Sequence, residues 1–474
     1  MFSKGCIVRS APYRFAYSTA LLLALLASTT GAGAPAPSTP AQAPYAGPVG
    51  YEIWHASYQA NVITVVDPAD LSVTQTIPLP GGPYTIALGH DRGTERDIVF
   101  VSLWDTGEIA LIDAATKQID KFITPPYFVD PQLLASPDRS KIYVNNCAPG
   151  VPSVEIDVAS QATFKLKITN TWNMEFSADE MTGYFADRWG CSDGATWGIR
   201  MVDLVGGQLL RLVEPDHPRA RSSAVVDITR IPLTDNYAVV YGNQFLVVDA
   251  ELQTIGLTDP STQSRANDHG VPVWAIQFRQ AHEAFIHDGL GESGNILRHV
   301  DVSDPTLPFY PGLDTYAGEP GFNPNRTPVA DGFQIIGNYA YFADRDSGVN
   351  LEAWDLDVDP PNKAAELRMP DDSRFTYFAV RKVPVAEQIA NIEEDAATTL
   401  DAAGVPESKD QVTKALEDAA NRADDGDTAK AITALEKTIK SLSQLVKKGD
   451  LSAAGAQSLI DPINALIQEL SGSG

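Results

Sequence analysis

Basic charge is scarce in this sequence: 35 Lys and Arg stand against 61 Asp and Glu, for a formal net charge of −26. A protein that grips a phosphate backbone needs a basic face, so nucleic acid is excluded as a partner and anionic lipid surfaces are disfavoured. A solvated acidic surface that keeps the chain soluble is the plain account of the excess. Cysteine is nearly absent, with three in 474 residues, and Cys6 precedes the first apolar stretch. No H-E-x-x-H, G-x-S-x-G, Walker loop or C-x-x-C-H occurs, so the usual metalloprotease, serine hydrolase, nucleotide and c-type cytochrome readings lack their chemistry. The acidic residues form no D-x-[DN]-x-[DN]-G calcium loop of the EF-hand type. From residue 385 onward there is no aromatic residue, His or Cys, so chemistry is not expected there.

The N-terminal end has a different composition. MFSKGCIVRSAPYR carries Lys4, Arg9 and Arg14 and no acid, and is followed by the apolar FAYSTALLLALLA and the small-residue STTGAGA. That order predicts a secretory signal peptide over residues 1–32, its apolar core being much shorter than the ~20 residues a span needs. No later run is long enough to cross a bilayer, so no transmembrane segment is expected in the mature chain. Residues 33–49, rich in Pro and Ala, read as an extended linker.

What is abundant is repetition. A short apolar strand ending in Asp before a polar turn recurs seven times, at Asp67, Asp113, Asp157, Asp203, Asp249, Asp301 and Asp355. The intervals between these positions are 46, 44, 46, 46, 52 and 54 residues. Another alternating segment precedes each Asp strand, as in YEIWHASY and DIVFVSLW. A third follows most of them, as in SVTQTIPL, and a fourth comes after a Pro/Gly loop, as in YTIALG. Four short strands at this period predict a β-propeller blade, which buries its faces only by stacking on neighbours. The first unit has only three strands, and RFTYFAV at 374–380 is left over at the other end. It is expected to complete blade one and close the ring over residues 50–383, leaving few exposed edges.

The core VTVVD…VTQTIPLPGGP resembles the YVTN-type propeller repeat of bacterial and archaeal surface and secreted proteins, over roughly residues 50–382. The resemblance implies the fold and an exported location. It says almost nothing of activity, because propellers host binders, lyases, lactonases and oxidoreductases alike.

After Val383-Pro384, helical periodicity replaces alternation, as in VTKALEDAANRA and TAKAITALEKTIKSLSQLV, with Gly and Asp punctuating the boundaries. Residues 384–474 are therefore expected to form three or four helices in an antiparallel bundle. The sequence ALEDA…DDGDTAKAITALE…VKKGDLSAAGAQSLI, within 389–470, resembles the FIMAH module appended to many secreted glycosidases and peptidases. That resemblance implies an accessory role, in attachment or interaction.

In a propeller the loops joining the second and third strands of each blade, and those between blades, share one face around the mouth of the central channel. Function is expected in such loops on a rigid scaffold. The pattern places His55, Trp104, Asp105, Asn145, Asn146, Arg188, His287, Asp288 and Arg345 there, with Tyr127, Trp172, His217 and His269 from inter-blade loops. His55, Trp104, Asp105, Trp172, Arg188 and Arg345 are the candidate ligand contacts, the aromatic ones being suited to stacking on a sugar ring or aromatic ligand. Imidazole with carboxylate suits a divalent metal, so His217, His269, His287 and Asp288 are the candidate metal set, although no two of these histidines share a tight ligand spacing. Cys147 and Cys191 lie 44 residues apart, one blade period. A disulfide there would staple blades three and four, provided the loops lean to within the ~7 Å that bridging allows.

The sequence thus predicts an all-β seven-bladed propeller followed by a small all-α bundle, secreted or at the cell surface. Its leading function is non-catalytic binding at the channel mouth, of a glycan, a surface polymer or a protein. The competing reading is a metal-dependent propeller lyase or lactonase-type hydrolase.

Overall fold

The computed structural model describes residues 45–472 except 129–130, 147, 149, 170–172, 187–198, 214–224, 242–243, 259–272, 289–295, 307, 309–332, 344–349, 359–360 and 369–375. The strands form seven antiparallel sheets. Blade one holds β1 (Tyr51–Ser57), β2 (Val62–Asp67) and β3 (Ser72–Pro78); blade two, β4 (Pro83–Asp91), β5 (Arg96–Leu103), β6 (Glu108–Asp113) and β7 (Ile119–Ile123). Blade three holds β8 (Pro131–Ala135), β9 (Lys141–Asn146), β10 (Pro152–Asp157) and β11 (Thr163–Thr169); blade four, β12 (Asn173–Phe176), β13 (Thr182–Ala186), β14 (Ile199–Asp203) and β15 (Gln208–Val213). Blade five holds β16 (Val225–Arg230), β17 (Tyr237–Tyr241), β18 (Gln244–Val248) and β19 (Thr254–Thr258). Blade six holds β20 (Val273–Gln280), β21 (Glu283–Asp288) and β22 (Ile296–Asp301) among the described residues. Blade seven holds β23 (Phe333–Ile336), β24 (Tyr339–Ala343), β25 (Asn350–Asp355) and β26 (Asn362–Arg368).

The recurring Asp has a local cause. Each closes the turn after its strand by accepting main-chain N–H bonds two or more residues on, as Asp67 does from Ala69 at 2.8 Å, Asp203 from Val205 at 3.0 Å and Asp355 from Asp357 at 2.9 Å. A left-handed residue finishes the turn at Leu71, Lys117, Gln161 and Gly207. Asp and Asn side chains that bond the backbone two residues on mimic a turn, which is why the residue type recurs at this point of each unit. Apolar residues on both faces of the middle strands form separate clusters between neighbouring blades. One such cluster joins Trp54, Ile63 and Val65 to Leu88, Val99 and Val101.

The ring closes as the sequence predicts. β27 (Thr376–Lys382) is the innermost strand of blade one and pairs with β1 from Tyr51↔Lys382 to Ser57↔Thr376. β26 has no counterpart among the sequence expectations, because its sequence NKAAELR carries the charged and Ala residues that strands generally avoid.

Four helices follow: α1 (Val385–Ala402), α2 (Pro406–Asp424), α3 (Thr428–Lys448) and α4 (Ala453–Gly472). The boundary chemistry follows the sequence. Pro406 opens α2, the Asp427 side chain accepts from the Lys430 amide to cap α3, and Gly449 ends α3 at φ +80°. One apolar stripe per helix, including Ile389 and Leu400, Val412 and Leu416, Leu435 and Leu442, and Leu459 and Ile463, packs into a single core. No described helix is long and apolar enough to cross a membrane.

The helices dock on the propeller at its closing strand. Arg381, 2% exposed, donates from Nε to Asp97 at 3.1 Å, and from Nη1 to Glu52 at 3.1 Å, Glu387 at 2.8 Å and the Ala114 carbonyl at 3.3 Å. Lys382 pairs with Glu469 at 3.1 Å, and Gln388 donates to the Val383 carbonyl at 2.9 Å and to Glu469 at 3.2 Å.

Candidate functional site

The second strands of blades one and two, β1 and β5, end on the face where the innermost strands β27 and β4 begin, with Ser57 opposite Thr376 and Leu103 opposite Pro83. The turns leaving β1 and β5 therefore stand at that mouth of the channel, and they carry Tyr58, Trp104 and Asp105. Trp104 is 44% exposed. Its amide donates to the Gly82 carbonyl at 2.9 Å, and its ring lies 4.9 Å from that of Tyr84 at 58°. Tyr84, on β4, meets Tyr377, on β27, edge to face at 5.5 Å. Aromatic rings thus run inward from Trp104 to the innermost strands of two neighbouring blades.

Asp105 is fixed beside them. Its Oδ1 accepts from the Tyr58 hydroxyl at 3.2 Å and its Oδ2 from the Gly82 amide at 3.0 Å. Gly82 is required by space, since a Cβ there would meet the Tyr58 ring at 2.5 Å. The glycine that lets the tyrosine approach also supplies the amide that holds the carboxylate.

A second polar assembly joins the innermost strands themselves. Thr85 Oγ1 on β4 donates to the Pro131 carbonyl at 3.1 Å, and Gln132 on β8 donates to Asn173 Oδ1 on β12 at 2.8 Å. Asn173 donates in turn to Asp227 Oδ1 on β16 at 2.9 Å, and the Ile276 amide on β20 donates to Asp227 Oδ2 at 2.7 Å. The relay links blades two to six. Burial pushes the Asp227 carboxyl up to about 7, against the pull of the Ile276 and Ile228 amides, with the nearby Glu175 adding to the rise. Burial also raises Glu175, whose oxygens accept from the Phe176 amide at 2.8 Å and the Arg230 amide at 3.0 Å.

Trp104 and Asp105 lie where the sequence puts them. His55 does not: β1 continues two residues past it, and the ring is fully buried inside the strand, on the face of Ile53, which clusters with Tyr341 and Leu351 of blade seven. Its Nδ1 lies 3.3 Å from the Ser57 hydroxyl, its Nε2 has no hydrogen-bond partner among the described residues, and burial lowers its pKa to about 4. Asn145 and Asn146 are likewise buried within β9, not in a loop. Tyr127 is half-buried, with the Lys165 ammonium 5.0 Å above its ring. Trp172, Arg188, Arg345, His217, His269, Cys147 and Cys191 lie outside the described residues. His287 and Asp288 end β21, their main chains opposite Ala275 and Val273, and their side chains lie outside the described set. Among the described residues no group of three or more His, Cys, Asp and Glu could hold a metal ion.

Sequence reasoning missed Tyr58, Tyr84 and Tyr377. A signal was present: PYTIALG and TYFAVRK each set a tyrosine at the second position of an innermost strand, and the two strands become neighbours only once β27 completes blade one. The Asp227 relay left no such trace, because its members come from strands 41 to 54 residues apart with no shared motif.

The architecture is that of a seven-bladed β-propeller with a C-terminal helical region. Residues 405–468, spanning α2, α3 and most of α4, match the FIMAH domain, while α1 precedes the match. No curated protein sequence matches the chain significantly. Among solved structures, the chain is similar to the dihydro-heme d1 dehydrogenase NirN in complex with DHE (TM-score 0.44, 14% identity, 73% of this chain and 78% of that one). It is also similar to Kuenenia stuttgartiensis hydrazine synthase (TM-score 0.38, 14% identity, 73% of this chain and 98% of that one). At this identity such likeness concerns the fold alone.

Proposed function

We propose that this is a secreted or cell-surface binding protein that captures its ligand at the channel mouth and performs no chemistry on it. The observation that carries the reading is Trp104, a large aromatic side chain left 44% exposed at the mouth while its amide, Tyr84 and the adjoining Asp105 hold it in place. Exposed aromatic anchors on a rigid frame are what recognition surfaces use. The basic and apolar N-terminal segment supports export, and the FIMAH match supports an accessory, attaching role for the helices.

The test is capture by the mature chain on arrays of immobilised glycans, cell-surface polymers and peptides, compared with Trp104→Ala. Capture lost in the variant, with the thermal midpoint unchanged, supports the reading. Turnover of any arrayed compound, or capture indifferent to the substitution, counts against it.

A further inference from the structure

We infer that the mouth takes a neutral glycan, whose pyranose ring stacks on Trp104 while its hydroxyls donate to Asp105; this rests on the binding reading above. The aromatic residues form a platform and not a cage. Tyr84 is buried behind Trp104 and half-buried Tyr377 packs against Tyr84 edge to face, so the rings are tilted against one another in a row and the indole is the most exposed of the three. A cation cage needs two or more ring faces turned on a shared void. A single flat face instead suits a flat apolar partner, such as the C–H face of a sugar.

The carboxylate narrows the class. An ionised carboxylate accepts at about four lone-pair positions, and Asp105 uses one bond at each oxygen, from Tyr58 and from Gly82. Acceptor capacity remains beside the indole, and acceptor-only chemistry selects a partner that brings donors, which hydroxyl groups do. The same charge, on a chain of net charge −26, repels uronates, sulfated glycans and nucleotides. Both groups are held before any ligand arrives, the Trp104 indole by packing on buried Tyr84 and the Asp105 carboxylate by the Tyr58 hydroxyl and the Gly82 amide, which limits the side-chain entropy lost on binding.

Affinity electrophoresis of the mature chain through gels containing β-glucan, mannan, galactan or xylan, with alginate and pectate as anionic counterparts, tests the inference. At least one neutral polymer should retard the protein. Trp104→Ala should weaken that retardation roughly tenfold, with Trp104→Phe recovering part of it. Asp105→Asn should weaken it by a smaller factor, with the thermal midpoint of each variant unchanged. Retardation by the anionic polymers alone would overturn the inference. So would Trp104-dependent capture of a peptide or other non-glycan on the arrays, although the binding reading would then stand. Absence of any Trp104-dependent capture would overturn both.

Discussion

Arg381, on the last strand of the propeller, and Glu387, on the first helix beyond it, are joined by two hydrogen bonds, Nη1 to Oε1 at 2.8 Å and Nη2 to Oε2. The same guanidinium reaches Glu52 of blade one and Asp97 of blade two, each at 3.1 Å. One cation therefore ties ring closure to helix docking, and its neighbours hold its pKa above the ordinary value despite the cost of burial. Removing it takes one shared cation from three carboxylates, leaving Glu52 to Lys117 and Asp97 to Arg139 and His90. Arg381→Leu should cost about 3–5 kcal/mol in urea unfolding, and Glu387→Gln, which keeps an acceptor, distinctly less.

His55 predicts an acid-sensitive limb. Burial depresses the folded pKa to about 4, below the ordinary 6.5, so the unfolded chain takes up a proton first as pH falls. Stability should therefore be undiminished above pH 6.5 and should fall by roughly 3 kcal/mol between 6.5 and 4. His55→Leu should remove that limb when urea midpoints are measured across the window.

Asp227 acts in the opposite sense. Its folded pKa is raised to about 7, so the folded chain keeps a proton that the unfolded chain has released. That contribution is complete below the ordinary carboxylate range and is lost as pH rises towards 7. Asp227→Asn, neutral throughout, should show a shallower decline, the two curves diverging by roughly 2–4 kcal/mol between pH 4 and 7.

Gly82→Ala should disturb the mouth without opening the ring. A Cβ at that position meets the Tyr58 ring at 2.5 Å and Asp105 Oδ2 at 3.1 Å, so Tyr58 must swing away and release its bond to Asp105. A loss of about 1–3 kcal/mol is expected, with a change in Trp104 fluorescence that calorimetry of the variant would accompany.

Metal ions separate the two functional classes. Under the binding reading, the thermal midpoint after EDTA should not move when zinc, calcium, magnesium or manganese is added. A rise of several degrees with one ion, abolished by His287→Ala, would replace that reading with the metal-dependent one, since a ligand of the folded state raises its midpoint.

The blades were legible because their signal is local and repeated: alternation, an Asp that closes a turn within two or three residues, and a period. The closing strand was legible by arithmetic, one unit being a strand short. The helices announced themselves through Pro406, Asp427 and Gly449. The mouth was only half legible. Trp104 and Asp105 follow a strand end and could be placed by counting, whereas Tyr84 and Tyr377 meet only across blades. Counting also misplaced His55, because alternation does not say where β1 stops. Arg381 sits near the end of a short strand just ahead of the first helix, and nothing in RKVPVAE reveals that its neighbours are residues 52 and 97.

The pairing of Tyr51 with Lys382 also sets a timetable. A chain that emerges from its N-terminus can form blades two to seven in turn as their strands appear, but β1 must wait with one edge unpaired until β27 arrives. Blade one is thus the first to be made and the last to be finished. Premature release, stalling or cleavage anywhere before residue 376 would strand that edge, and a break after β26 would strand it beside a nearly complete ring, so such fragments should be the aggregation-prone species.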